Sequence, residues 1–129
     1  MSERISRILV VEDDATLREA LAEVLVDEGH EVRLASNGLE AIDHLTDWEC
    51  DVILLDLMMP TMDAYEFRAS QLRLGISPGA KTLILSAARD IEAAAVHLEA
   101  DAWLPKPFRL ADVLEVVDRL LEPASGLAP

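Results

Sequence analysis

Five short apolar stretches recur along the chain, each followed by a segment of helical period. Ile8-Leu9-Val10-Val11, Val52-Ile53-Leu54-Leu55 and Thr82-Leu83-Ile84-Leu85 are continuous apolar or β-branched runs, the pattern of strands covered on both faces. Val32 and Leu34 alternate with polar neighbours, and Ala102-Trp103-Leu104 is shorter still. These predict strands over Ile5–Val11, Glu31–Ala35, Val52–Asp56, Thr82–Leu85 (ending on Ser86) and Ala102–Leu104. Pro60 and Pro105-Lys106-Pro107 mark where the chain leaves the sheet.

The intervening segments read as helices. Asp14 is placed to cap the first, whose Leu17, Leu21, Val24 and Leu25 share a face, with Gly29 just past its end. Asn37 followed by Glu40 resembles a capping box, opening a helix with Ala41, Ile42 and Leu45 that runs to about Thr46. Asp63 opens a third helix that stops before Gly75 and turns an inner stripe of Phe67 and Leu74. Asp90 is expected to cap a fourth, with Ile91, Ala94, Ala95 and Leu98 inward. The last carries the clearest period: Leu110, Val113, Leu114, Val117, Leu120 and Leu121. Strand and helix repeated five times predict right-handed crossovers and a parallel sheet with helices on both faces.

Composition narrows the class. With 129 residues, 51% apolar and only 5 Gly and 6 Pro, the chain has length for one globular domain and not two. Its 25 acidic against 11 basic side chains, net −14, disfavour a nonspecific grip on nucleic acid or an anionic membrane. The single Cys50 excludes an internal disulfide and Cys-rich zinc sites, and Glu49 and Asp51 beside it disfavour a thiolate. His30, His44 and His97 show no ligand spacing and read as surface or helix-end residues. No apolar run nears the ~20 residues of a membrane span, and Met1-Ser2-Glu3-Arg4 has no signal-peptide character, so a cytoplasmic protein is expected.

The chemistry gathers where the strands end. In a parallel sheet all carboxyl ends share one edge, the edge where open α/β sheets place ligands. Here that edge collects Glu12, Asp13 and Asp14 from the first strand, Asp56 from the third, Ser86 from the fourth and Lys106 from the fifth. Crowded carboxylates call for a cation, and all-oxygen donors suit a hard one such as Mg²⁺. A lysine and a hydroxyl beside them suit phosphoryl oxygens. A carboxylate in the middle of such a site can be the nucleophile that takes the phosphoryl group. Taken singly, Asp56 would be a solvated strand end and Lys106 a surface lysine; one fitting residue at each of four strand ends is what gives the pattern weight.

Ile8-Leu9-Val10-Val11-Glu12-Asp13-Asp14, Leu54-Leu55-Asp56-Leu57-Met58-Met59-Pro60-Thr61-Met62-Asp63, Leu85-Ser86-Ala87 and Leu104-Pro105-Lys106-Pro107-Phe108 together resemble the receiver domain of two-component response regulators, over essentially residues 5–121. The resemblance implies a three-layer flavodoxin-like (βα)5 α/β fold with sheet order 2-1-3-4-5. It implies a receiver over residues 1–121, with 122–129 a tail or the start of a linker. It implies that Asp56 accepts a phosphoryl group from a sensor histidine kinase or phosphotransfer protein, with no turnover activity beyond self-phosphorylation and self-dephosphorylation. Asp13, Asp56 and the Met58 carbonyl would ligate Mg²⁺, Glu12 acting through water, while Ser86 and Lys106 would contact the phosphoryl oxygens and the Lys106–Pro107 bond would be cis. Asp14 falls outside the acidic pair and stays a cap. Ser86 and the aromatic Trp103 would switch the face made by the fourth helix, fifth strand and fifth helix, the output and possible homodimer surface, for a downstream effector domain or protein. The plain alternative for Trp103 is a half-buried packing residue, and both readings stand at this point.

Four positions depart from the family pattern. Ala64 and Glu99 stand where Gly is usual, which puts the loop after Asp56 and the end of the fourth helix in question. Met58 and Ala88 stand where side chains orient the hydrolytic water; neither can hydrogen-bond it, so slow self-dephosphorylation is expected. Other readings fit less well. An aspartyl-phosphate phosphohydrolase needs a second Asp where Met58 stands, and a nucleotide or flavin module needs a glycine-rich first loop in place of an acidic one. A degenerate receiver that binds partners without phosphorylation is the remaining alternative, against which the acidic pair, Asp56, Ser86 and Lys106 count. No helix-turn-helix fits after the fifth helix, so direct nucleic-acid binding is not expected. A complete chain would act as a stand-alone receiver, and a longer regulator would continue from the Pro123–Pro129 tail.

Overall fold

The computed structural model describes residues 5–59 and 61–122. In chain order its elements are β1 (Arg7–Val11), α1 (Ala15–Asp27), β2 (Glu31–Ala35), α2 (Gly38–Thr46), β3 (Val52–Asp56), α3 (Ala64–Leu74), β4 (Lys81–Ser86), α4 (Ile91–His97), β5 (Ala102–Pro105) and α5 (Leu110–Leu121). All strand pairs are parallel and the sheet order is β2-β1-β3-β4-β5. The expected tail from Pro123, and Pro60 after the central strand, lie outside the described residues.

The continuous apolar runs are strands because both faces of the sheet are covered. Leu9, Val11, Ile53, Leu55 and Ile84 point to the side packed by α2, α3 and α4. Ile8, Val10, Val52, Leu54, Leu83 and Leu85 point to the side packed by Leu21 and Leu25 of α1 and Val113 and Val117 of α5. Every residue of β3 is buried. Each of its large apolar side chains contributes roughly 1.5–3 kcal/mol by leaving water.

Helix starts follow the sequence with two corrections. Asp14 caps α1, accepting from the Leu17 N–H, and Asp63 with Glu66 closes a full capping box on α3. The Asn37–Glu40 box is only half made: Asn37 Oδ1 accepts from the Glu40 N–H at 2.9 Å, but the Glu40 carboxylate turns to the Ser36 N–H and hydroxyl. Asp90 precedes α4 without a capping bond, since its backbone (φ −99°, ψ 37°) is not the extended form that aims the side chain at the first turn.

Strand limits shift too. β1 begins at Arg7, where the ladder's first pair forms with Glu31, and Ile5 is left largely exposed. β4 gains Lys81, which pairs with Val52. β5 takes in Pro105 as an edge strand: Lys106 N donates to Ser86 O at 2.8 Å, so the alternate position's missing N–H falls on the open edge. In α3 the inner stripe holds Phe67, with Ala64, Ser70 and Gln71 also buried, while Leu74 points outward.

The two non-glycine positions behave differently. Ala64 is the first residue of α3 and fully buried, and the left-handed backbone of its loop falls instead on Thr61 (φ 70°). Glu99 itself takes the left-handed conformation (φ 58°) that ends α4, with Ala100 N donating back to Ala95 O at 2.8 Å. Arg68 of α3 reaches across to this end, Nε donating to Leu98 O at 3.0 Å and Nη2 to Glu99 O at 3.4 Å. Its Nη1 also donates to Gln71, whose amide donates to Ser77 O.

Candidate functional site

The register sets Glu12 and Asp13 one and two residues past β1, Asp56 at the end of β3, Ser86 at the end of β4 and Lys106 just past β5, all on one edge. Ligand oxygens of Glu12, Asp13 and Asp56 lie within 4.8 Å of one another. Glu12 and Asp56 are buried, whereas Asp13 is exposed. Lys106 lies across the two buried carboxylates, its Nζ 3.0 Å from Glu12 Oε1 and 3.5 Å from Asp56 Oδ2. The Lys106–Pro107 bond is cis.

The backbone holds these groups in place. Asp56 Oδ1 accepts from the Met58 N–H at 3.2 Å, and Glu12 Oε2 accepts from the Asp14 N–H at 3.1 Å. Ser86 is fully buried and its Oγ accepts from the Ala88 N–H at 3.0 Å. The Met58 side chain is exposed and leaves the space over Asp56 unlined by a polar group from that position.

Two buried acids facing one lysine leave an uncompensated negative charge. Burial, and then the Glu12 charge, push the Asp56 carboxyl up to about 7 from an ordinary 3.8, against the pull of Lys106 and the Met58 N–H. For Lys106, burial alone would lower the ammonium, but the Glu12 hydrogen bond and the charges of Asp56 and Glu12 outweigh it and hold it above its usual value. The donor set fits a hard divalent cation: three carboxylates and no soft ligand, with an exposed side on which water can complete the shell. Such a cation would also offset the charge that lifts Asp56.

The remaining sequence candidates sit apart from this cluster. Trp103, on the edge strand, is about 38% exposed and lines a groove with Leu104, Asp112, Val116 and Arg119 of β5 and α5. His44 bonds the Leu34 carbonyl and His97 meets the Tyr65 ring edge-on, neither near the acidic cluster. Cys50 is buried, and burial ahead of the neighbouring acids pushes its thiol up to about 12.

One residue at the edge is not singled out by sequence patterns: Arg18, on the first turns of α1. Its Nη1 donates to Glu12 O at 2.8 Å and to Asp13 O at 3.4 Å. The only signal in the sequence is a basic residue one helical turn after the acidic run, which is common enough to pass unnoticed.

Comparison with known proteins identifies the family and the fold. A family model described as the response regulator receiver domain matches residues 8–118. Response regulator MprA of Mycobacterium tuberculosis is 39% identical over 117 residues, covering 89% of this chain and 50% of MprA. The chain thus spans about half the length of the curated relatives it matches. Among solved structures, response regulator TrrA of Thermotoga maritima, in complex with Mg²⁺–BeF, is 32% identical with a TM-score of 0.79, covering 91% of this chain and 100% of that one. Chemotaxis protein CheY4 of Vibrio cholerae is 28% identical with a TM-score of 0.82, covering 92% and 100%.

Proposed function

The chain belongs to the response regulator receiver family of two-component systems, and from that premise we propose that Asp56 is its phosphoacceptor, working with Mg²⁺. The observation that carries this is Lys106 Nζ lying across Glu12 and Asp56, with the Asp13 carboxylate in the same cluster. The Mg²⁺–BeF complex of TrrA supports the same reading.

In the proposed reaction an Asp56 carboxylate oxygen attacks the phosphorus of a phosphohistidine on a sensor histidine kinase or phosphotransfer protein. The new O–P bond forms as the N–P bond breaks, and the departing imidazole nitrogen keeps the electron pair and takes up a proton. Asp13, Asp56 and the Met58 carbonyl would hold Mg²⁺, with Glu12 acting through water. The cation, when bound, supplies charge compensation for the transferring group. Lys106 is already within ion-pair distance of Asp56 and can pass to a phosphoryl oxygen without a large movement. Ser86 would leave the Ala88 N–H to bond the phosphoryl group, and Trp103 would respond on the face of α4, β5 and α5. That face would meet the effector or a second copy.

The receiver unit is proposed to end with α5, residues 122–129 starting a linker, and to act in the cytoplasm. Among the described residues no helix is long and apolar enough to cross a membrane. The deciding experiment is intact mass after incubation with Mg²⁺ and acetyl phosphate, beside Asp56→Ala. One added phosphoryl group, absent in the variant and blocked by chelator, is expected. No adduct in either protein and no Mg²⁺ binding would replace this reading with a receiver that engages partners without phosphorylation.

A further inference from the structure

We propose that Arg18 is a positioning residue for the divalent-cation site, its guanidinium fixing the Glu12 and Asp13 peptide groups so that both carboxylates converge on Asp56. The inference rests on the reading of this edge as an Mg²⁺ site.

The acidic loop has few anchors. Glu12 N donates to Ala35 O at 3.0 Å, which ties the loop to β2, and the Glu12 carboxylate is held by the Asp14 N–H and by Lys106 Nζ at 3.0 Å. Asp13 is exposed and belongs to neither β1 nor α1. Arg18 supplies what is missing: one nitrogen bonds two successive carbonyls, Glu12 O at 2.8 Å and Asp13 O at 3.4 Å. A peptide group is planar, so pinning a carbonyl oxygen also fixes the direction of the next Cα. Holding both carbonyls toward α1 therefore restricts where the Glu12 and Asp13 side chains can point. The same side chain lies near Glu40, whose carboxylate is held below its usual range by the Ser36 N–H and hydroxyl first, and more weakly by Arg18.

Charge and geometry make opposite predictions here. A nearby guanidinium repels a cation, so if only its charge mattered, removing Arg18 would tighten Mg²⁺ binding. If it positions the ligands, removing it loosens binding, in the way that loss of groups orienting metal ligands commonly costs ~10–100-fold in affinity.

The test is Mg²⁺ titration by calorimetry on the wild-type chain, Arg18→Ala and Arg18→Lys, with thermal melting in chelator as the control. The expected result is Mg²⁺ binding about 10-fold or more weaker in R18A, a smaller loss in R18K, and little change in metal-free melting. Unchanged or tighter Mg²⁺ binding in R18A would overturn the proposal. If R18A melts far below the wild type in chelator, R18K decides: weakened binding at native melting supports positioning, and wild-type affinity overturns it. A wild-type chain that does not bind Mg²⁺ removes the site reading itself, an outcome seen before any variant is made.

Discussion

Replacing Asp56 by Asn should make the metal-free protein more stable, although it removes one partner of a buried ion pair. Glu12 and Asp56 are both buried and share the single Lys106 ammonium. Asn keeps the shape and an oxygen to accept from the Met58 N–H, removes the repulsion, and leaves Lys106 paired with Glu12 at 3.0 Å. The Asp56 carboxyl stands at about 7 against an ordinary 3.8, a difference of about three units. At 1.36 kcal/mol per unit that is a ceiling of about 4 kcal/mol. Loss of the Lys106 attraction and water at the open side of the site reduce it, and we expect a gain of ~2 kcal/mol, or roughly 5–10 °C in Tm.

The pH dependence has a definite sign. A folded-state value raised above the unfolded one means that the native protein holds its proton more tightly. The stability this confers is present below about pH 4 and is lost as pH rises through about 7. The advantage of D56N should therefore widen from pH 4 to 7 and level off above. Urea unfolding in chelator at pH 5 and pH 8 measures it directly, and added Mg²⁺ should stabilise the wild type but not the variant. A D56N protein no more stable than wild type at pH 8, or an advantage that shrinks as pH rises, would refute the reasoning.

Other outcomes follow from single contacts. Glu99→Gly should stabilise by ~0.5–1 kcal/mol in urea, because Glu99 holds φ 58° where glycine carries no steric cost. Gly38→Ala should destabilise by ~1–3 kcal/mol, since a Cβ there would lie 2.7 Å from Met62 Cγ and 2.8 Å from Met62 O, crowding the loop after Asp56; a neutral effect would mean that the loop yields freely. Cys50, buried and with its thiol near 12, should react with a thiol reagent only on unfolding, so rapid labelling of native protein at pH 8 would contradict its burial. The phosphorylated chain should lose its group slowly, with Met58→Asn shortening the lifetime, because neither Met58 nor Ala88 offers a side-chain hydrogen bond to water; a wild-type half-life of seconds at neutral pH would oppose this.

The strand and helix order is legible because burial leaves a local trace. A strand covered on both faces must be apolar at every position, as Val52–Leu55 is, and a helix on the sheet must be apolar once per turn, as α5 is. The edge residues are legible for a related reason: parallel strands bring all their carboxyl ends together, so the position of Asp56 or Lys106 at a strand end already places it. Leu74 and Ile5 show where this reasoning stops. Both are apolar at the margin of a periodic segment, and both are exposed in the fold.

What only the tertiary structure decided are properties shared between residues far apart in the chain. Lys106 and Glu12 are 94 positions apart, and the charge state of Asp56 depends on their distances and on burial, neither of which is a pattern along the sequence. Glu99 ends α4 in place of glycine with its carbonyl, and that of Leu98, held by Arg68 from another helix. Arg18 looks like any exposed helical arginine until folding brings it onto the carbonyls of the acidic loop. Periodicity along the chain records which face of an element meets the core. Hydrogen bonds and charges act between elements through distances of a few ångströms, and only the packed fold determines those.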